Sequence, residues 1–198
     1  MIPTAVPSAN TLFAEAYDLA FGSGKRSWKQ AFARWAEAAE GGHIRSMFYL
    51  ATCYDWGNGV KKNPAEAFSW YLKAAKGGHR DAQFNVGFFY ATGEFVAQDH
   101  RKKVSWYQKA AQQGLIDAQR DLGYSYYMGE GVRRDLEKAV HWYRKAAVQG
   151  DAKANYNLGL CYLEGEGVRQ SKRWAKHYFI KATELGHKLA PRKLIELS

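Results

Sequence analysis

The sequence predicts an all-α fold: a right-handed α–α superhelix of five 36-residue helical hairpins with a C-terminal capping helix. Two observations carry this expectation. Within residues 116–151, apolar side chains recur at helical spacing in two stretches, each closed by glycine, so the stretch reads as a hairpin with one wet and one apolar side. The same residues then return when the register is shifted by 36, so every hairpin has neighbours against which to bury its apolar side.

The fourth unit shows the pattern most fully. Ala118, Leu122 and Tyr126 fall on one side of a first helix, and Gly123 leaves that side open to close approach by another helix. Gly129-Glu130-Gly131-Val132 ends it. Asp135 is placed to cap a second helix, with Glu137 near the positive end of its dipole. Ala139, Trp142, Tyr143, Ala146 and Ala147 give that helix its apolar stripe, and Gly150 stops it. Across the repeats Leu122-Gly123 becomes Val86-Gly87 and Leu158-Gly159. Trp142-Tyr143 becomes Trp70-Tyr71, Trp106-Tyr107 and Tyr178-Phe179, and Gly150 becomes Gly78, Gly114 and Gly186.

Taken in order, residues 1–7 are expected to be a disordered head, and residues 8–187 a single solenoid with units at 8–43, 44–79, 80–115, 116–151 and 152–187. The first unit is degenerate. Its second helix is clear from Trp28, Ala31, Phe32, Trp35, Ala38 and Ala39, but its first lacks the Leu-Gly pair, as a terminal repeat with one face toward water can. In the second unit Asn63-Pro64-Ala65-Glu66 is a helix start, with Asn as cap and Pro at the first helical position. The third departs twice: Phe95 stands for the second turn glycine, so a local deformation is expected, and Lys103 stands for a core alanine. In the fifth, Ser171 is the cap and Lys176 replaces Phe or Val. Residues 188–198 are expected to cap the last hairpin through Leu189, Leu194, Ile195 and Leu197.

The composite pattern A-x3-L-G-x2-Y-x2-G-x-G-V-x2-D-x3-A-x2-W-Y-x-K-A-A-x2-G resembles the Sel1-like repeat, a relative of the tetratricopeptide repeat. The resemblance is strong over residues 44–187 and weak over 8–43. It implies a solenoid that serves as an interaction platform, and a fold alone names no partner. Some Sel1-like proteins staple each hairpin with a disulfide. Here the only cysteines, Cys53 and Cys161, occupy one repeat position three units apart. Hairpins stack about 10 Å apart, beyond the ~7 Å Cα limit for a bridge, so both thiols are expected to be free. Free thiols favour a reducing compartment. The amino terminus has no basic start and carries two early prolines, and no run approaches 18 apolar residues. No signal peptide or membrane insertion is therefore expected, and the chain reads as a bacterial cytoplasmic protein.

No chemistry stands out. Of the six histidines, His43, His79 and His187 share one repeat position, in the loop after the second helix, and His141 and His177 share another. Equivalent positions in neighbouring repeats are about 10 Å apart, too far to share a metal with ~2.1 Å bonds. The Gly-Glu-Gly turns join helix to helix and lack the strand and Gly-Lys-Ser/Thr of a phosphate loop. No nucleophile–base arrangement is recognisable. The reading is a non-enzyme with no metal and no cofactor.

In a tetratricopeptide-like hairpin the first helix lines the concave groove. Carried over to this sequence, the resemblance places Arg45, Phe48, Trp56, Phe84, Phe88, Arg120, Tyr124, Tyr127 and Tyr156 in that groove. Exposed aromatics around an arginine are the composition of binding hot spots. A second feature is a basic rim after the turns: Lys61, Lys62, Arg133, Arg134 and Arg169. The formal charge of +10 points toward a protein or peptide partner of acidic character. Nucleic acid is not expected, because the repeat scatters the basic residues over second helices too. The function expected is a protein-binding scaffold or adaptor. The alternative is an immunity or inhibitor protein that neutralises a toxin or enzyme by covering it. The sequence leaves oligomeric state open.

Overall fold

The computed structural model of the chain describes residues 7–197. The expectation of a disordered head therefore lies, for residues 1–6, outside the described residues. Eleven α-helices and no strand form among the described residues: α1 (Ala9–Phe21), α2 (Trp28–Glu40), α3 (Ile44–Trp56), α4 (Pro64–Lys76), α5 (Arg80–Thr92), α6 (His100–Gln112), α7 (Ile116–Met128), α8 (Leu136–Val148), α9 (Ala152–Glu164), α10 (Lys172–Glu184) and α11 (Ala190–Glu196). The described residues divide into two compact units, one up to Ala97 with α1–α5 and one from Gln98 with α6–α11.

Within each unit the hairpins are built alike. Helix pairs pack through alanines and one large ring: Ala67, Tyr71, Ala74 and Ala75 on α4, and Ala139, Tyr143 and Ala146 on α8, are all buried. Small side chains bring the backbones together while the ring fills the gap. The helical glycines complete this. A Cβ on Gly123 would fall 2.7 Å from the Tyr143 ring, and one on Gly159 would fall 2.5 Å from Phe179. The lysine of the Trp-Tyr-x-Lys-Ala-Ala stretch also has a use the periodicity did not reveal. Lys73, Lys109 and Lys145 lie over Trp70, Trp106 and Trp142 at 3.7, 4.1 and 4.6 Å. The spacing of i to i+3 puts each ammonium over the indole one turn before it.

The turn after each first helix explains why Phe95 disturbs the third repeat. Gly59, Gly131 and Gly167 all have φ near +70°. A Cβ on Gly59 would lie 2.2 Å from the Trp28 carbonyl oxygen. On Gly131 it would lie 2.1 Å from that of His100, and on Gly167 2.2 Å from that of Leu136. This glycine therefore abuts the start of the preceding second helix, and no side chain fits there. No residue other than glycine has positive φ among the described residues. The segment carrying Phe95 takes another path: the Glu94 N–H donates to Thr92 Oγ1 at 3.4 Å, and the half-exposed Phe95 ring lies 6.1 Å from Phe68.

Lys103, at the position of Ala67 and Ala139, is buried and donates to Glu130 of the next turn. That bond holds the Glu130 carboxyl below its ordinary range, and His100 Nδ1 lies 3.3 Å from the same carboxylate. Cys53 and Cys161 are both free and buried, and burial pushes each thiol up to about 12. The C-terminal segment forms the expected capping helix, though not through all of the side chains expected to cap the last hairpin. α11 packs on α10 through Ala190, whereas Leu189 and Ile195 stay exposed. A seven-residue helix has too little surface to cover every apolar side chain it carries.

Most N-caps are Ser, Asn or Asp, but His43 and His79 cap α3 and α5. His43 Nδ1 accepts the Ser46 N–H at 3.2 Å, and His79 Nδ1 accepts the Ala82 N–H at 3.3 Å. Only the neutral ring can accept, and burial lowers both pKa values below 6.5. A histidine whose folded pKa is depressed contributes stability that is fully present above the unfolded pKa. It is lost as pH falls from there through the folded value. Thermal stability is therefore expected to decline as pH falls below about 6.5. In His79→Asn, which keeps a capping acceptor that does not titrate, that slope should be shallower in a set of melts across this range.

Candidate binding surfaces

The expected groove residues lie on α3 and α5 in the first unit and on α7 and α9 in the second. In the first unit Trp56 is 75% exposed and Phe88 49% exposed. Phe48 and Phe84 are half-buried. Phe48 stacks on His79 with ring centres 4.4 Å apart, so one of its faces is already covered. The Arg45 guanidinium sits 4.4 Å from the Phe13 ring centre.

In the second unit Tyr124 is 49% exposed and Met128, one turn on, is 56% exposed. Tyr156 stacks on His187 at 4.2 Å. Tyr127 donates its hydroxyl to Glu166, which also receives Arg134 Nη2 at 3.3 Å. Arg120 is not the free cation that its place in the repeat suggested. It bonds Asp121 at 2.8 Å, Asp117 at 2.7 Å and Asp151 at 3.1 Å. Burial disfavours its charge, but those carboxylates more than offset the loss and hold its pKa above the ordinary value. The reason is visible in the register. Phe48 with His79, Tyr156 with His187 and Arg120 with Asp151 are each 31 residues apart. The fifth residue of a repeat packs against its last residue, as a ring pair in two repeats and as an ion pair in the fourth.

Tyr124 stands between two concavities. One of about 480 Å³ is lined by Lys153, Asn157 and Leu189 as well as by Tyr124. A smaller one of about 130 Å³ is lined by Tyr127, Tyr143, Leu160 and Cys161. The larger concavity is also lined by Arg120 and Asp121, and the Arg120 charge is met by Asp117, Asp121 and Asp151. Of the basic rim, Lys61, Lys62, Arg133 and Arg169 are exposed, and Arg134 is engaged by Glu166 and by the Tyr127 carbonyl at 3.0 Å.

The thirteen-residue helices, the 36-residue period and the turn glycines together specify a repeat type. The Sel1 repeat signature matches residues 44–79, 80–115, 116–151 and 152–187. The chain belongs to the Sel1 repeat family. Its helical hairpins match those of solved Sel1-repeat solenoids. The crystal structure of c5321, a protective antigen of uropathogenic Escherichia coli strains displaying an SLR fold, is similar with a TM-score of 0.91 and 32% identity over 96% of the chain. The chain spans only 41% of that antigen's length. A Sel1 repeat protein from Oxalobacter formigenes is similar with a TM-score of 0.86 and 33% identity, over 100% of this chain and 81% of that one. Helicobacter pylori cysteine rich protein B is similar with a TM-score of 0.51 and 26% identity, over 66% of this chain and 97% of that one. No curated protein matches the sequence. Sel1 repeats generally mediate protein–protein interactions and are generally not enzymes. Among the described residues no helix is long and apolar enough to cross a membrane.

Two features escaped the sequence reading. The capping histidines were visible only as a repeated loop position. Trp174 was passed over, although it breaks the repeat where Gln30, Glu66, Lys102 and Lys138 stand.

Proposed function

We propose that this Sel1 repeat chain is a protein-binding scaffold whose first-helix faces hold a protein or peptide through exposed apolar side chains. The observation that supports this is periodic exposure. Phe88 and Tyr124 occupy the same repeat position and are each 49% exposed. Trp56 and Met128 share the position one helical turn further on and are 75% and 56% exposed. The packing of the hairpins buries their neighbours and leaves these side chains in water, which makes them available as anchors. Phe48 and Tyr156 act as supports, since each is already stacked on a histidine. Arg120 positions the loop before α9 through Asp151 rather than reaching for a partner.

The test is capture of the natural partner by immobilised chain. Phe88→Ala and Tyr124→Ala should each weaken capture about thirty-fold, the equivalent of ~2 kcal/mol. Lys61→Ala should change it by less than ~1 kcal/mol, chiefly in a salt-dependent association rate. Both aromatic variants should melt near wild type, because half their surface is already in water. Normal capture by these variants with loss in Lys61, Lys62 or Arg133 variants would move the site to the rim. If the captured protein is a toxin or enzyme that loses activity on binding, the scaffold acts as an inhibitor.

A further inference from the structure

The second unit carries another surface that shares no residue with the concavities around Tyr124. Residues 168–183 contain Arg169, Lys172, Arg173, Lys176 and Lys181 and no aspartate or glutamate. Half of the chain's formal charge of +10 thus falls on α10 and the turn before it. Two of them, Arg169 and Lys181, line a seam between α8 and α10 formed by two adjoining concavities. The larger, about 560 Å³, is lined by Tyr162, Arg169 and Trp174, and the smaller, about 170 Å³, by Val148, Asn155, Tyr178 and Lys181. Arg144 lines both, and neither is lined by a carboxylate.

Three details mark the seam as more than a solvated helix face. Trp174 is 48% exposed at a position where the other repeats carry Gln30, Glu66, Lys102 and Lys138, so the repeat does not require an indole there. Its ring lies 6.1 Å from Tyr162, and Arg144 Nη2 donates to the Tyr162 hydroxyl at 2.8 Å, which fixes the guanidinium at the junction of the two concavities. Asn155 is 1% exposed, its Nδ2 donates to the carbonyls of Ala147 and Asp151, and its Oδ1 accepts no hydrogen bond. The register explains this orphan. One repeat earlier the Gln119 side-chain oxygen accepts Gln149 Nε2 at 2.8 Å, and the residue equivalent to Gln149 in the fifth repeat is Leu185, which has no donor. A buried acceptor left open favours a ligand that brings an N–H.

We infer that the α8–α10 seam is a second binding surface, and that it takes an acidic polypeptide segment. Carboxylates meet Arg144, Arg169 and Lys181. An apolar side chain covers Trp174 or Val148, which is 89% exposed, and a backbone or amide N–H serves Asn155. Of the three rings that line the seam, Tyr162 and Tyr178 stack on each other and are half-buried, which leaves Trp174 as the one exposed ring, whereas single-stranded nucleic acid stacks successive bases on a row of exposed rings. Charge complementarity with apolar anchors is the combination that a polypeptide supplies.

A displayed library of random short peptides, selected on the immobilised full chain, tests this. The selected peptides should combine Asp or Glu with an apolar residue and bind more weakly as salt is raised. They should lose about tenfold in affinity on Trp174→Ala and on Arg169→Glu, and be unaffected by Tyr124→Ala. Both seam residues are exposed, so neither variant should unfold the chain; matching melting curves check that. Oligothymidylate and phosphatidylserine vesicles are run beside the peptides. Selected peptides without acidic residues, or peptides that bind both seam variants normally, would overturn the inference. So would binding of the oligonucleotide or the vesicles that is lost in those variants. Failure of Tyr124→Ala to affect seam peptides leaves the first-helix site standing, so the two surfaces are judged separately.

Discussion

Gly131→Ala is expected to lower the free energy of unfolding by about 3 kcal/mol and the melting midpoint by roughly 10 °C. Two costs combine. The residue sits at φ +74°, a conformation that costs an alanine of order 1 kcal/mol, and its new methyl would meet the His100 carbonyl oxygen at 2.1 Å. The oxygen belongs to the first turn of α6 and cannot swing away as a side chain would. Gly150→Ala separates the two costs. Its φ is +87°, but a Cβ there meets nothing within 4 Å, so only the conformational cost of about 1 kcal/mol applies. Equal losses in the two variants would show that the close approach to α6 contributes nothing.

Glu130→Ala is expected to cost about 2–3 kcal/mol, because it leaves the buried Lys103 ammonium without its carboxylate. The partial exposure of Glu130 keeps the figure at the lower end for a broken buried pair. The diagnostic result is rescue. Lys103→Ala restores the residue that Ala67 and Ala139 provide in neighbouring repeats, and the double variant Lys103→Ala/Glu130→Ala should regain most of the loss in a denaturant titration. If the double variant is as unstable as Glu130→Ala alone, the carboxylate matters through His100 or the turn rather than through Lys103.

Much of the fold could be read from the repeat, because the solenoid core is one contact set copied at a fixed spacing. Tyr143 and Ala146 name their counterparts in every repeat and Leu122 in the four regular ones, and a glycine such as Gly123 marks where a ring must approach. The departure at Phe95 was legible for the same reason, since a side chain replaced a glycine. The candidate surfaces were only partly legible. Spacing told which residues stand on the first helices but not what each one meets across the hairpin. Arg120 and Tyr156 both counted as groove residues, yet the final residue of the repeat covers them, by Asp151 and His187. The Trp174 seam was readable in principle: a tryptophan at a polar repeat position, inside sixteen residues without an acid, is a departure like Phe95. Asn155 was not readable, because its open acceptor depends on Leu185, thirty residues away.

The central claim is that partners dock on the first-helix faces. Site-specific photocrosslinking tests it without relying on stability. A benzophenone-bearing phenylalanine placed at position 88, at 124, at 61 or at 133 reports whichever surface the bound partner touches. The account predicts adducts from 88 and 124, which replace half-exposed Phe88 and Tyr124, and none from 61 or 133 on the basic rim. Adducts from 61 and 133 with none from 88 and 124 would contradict it.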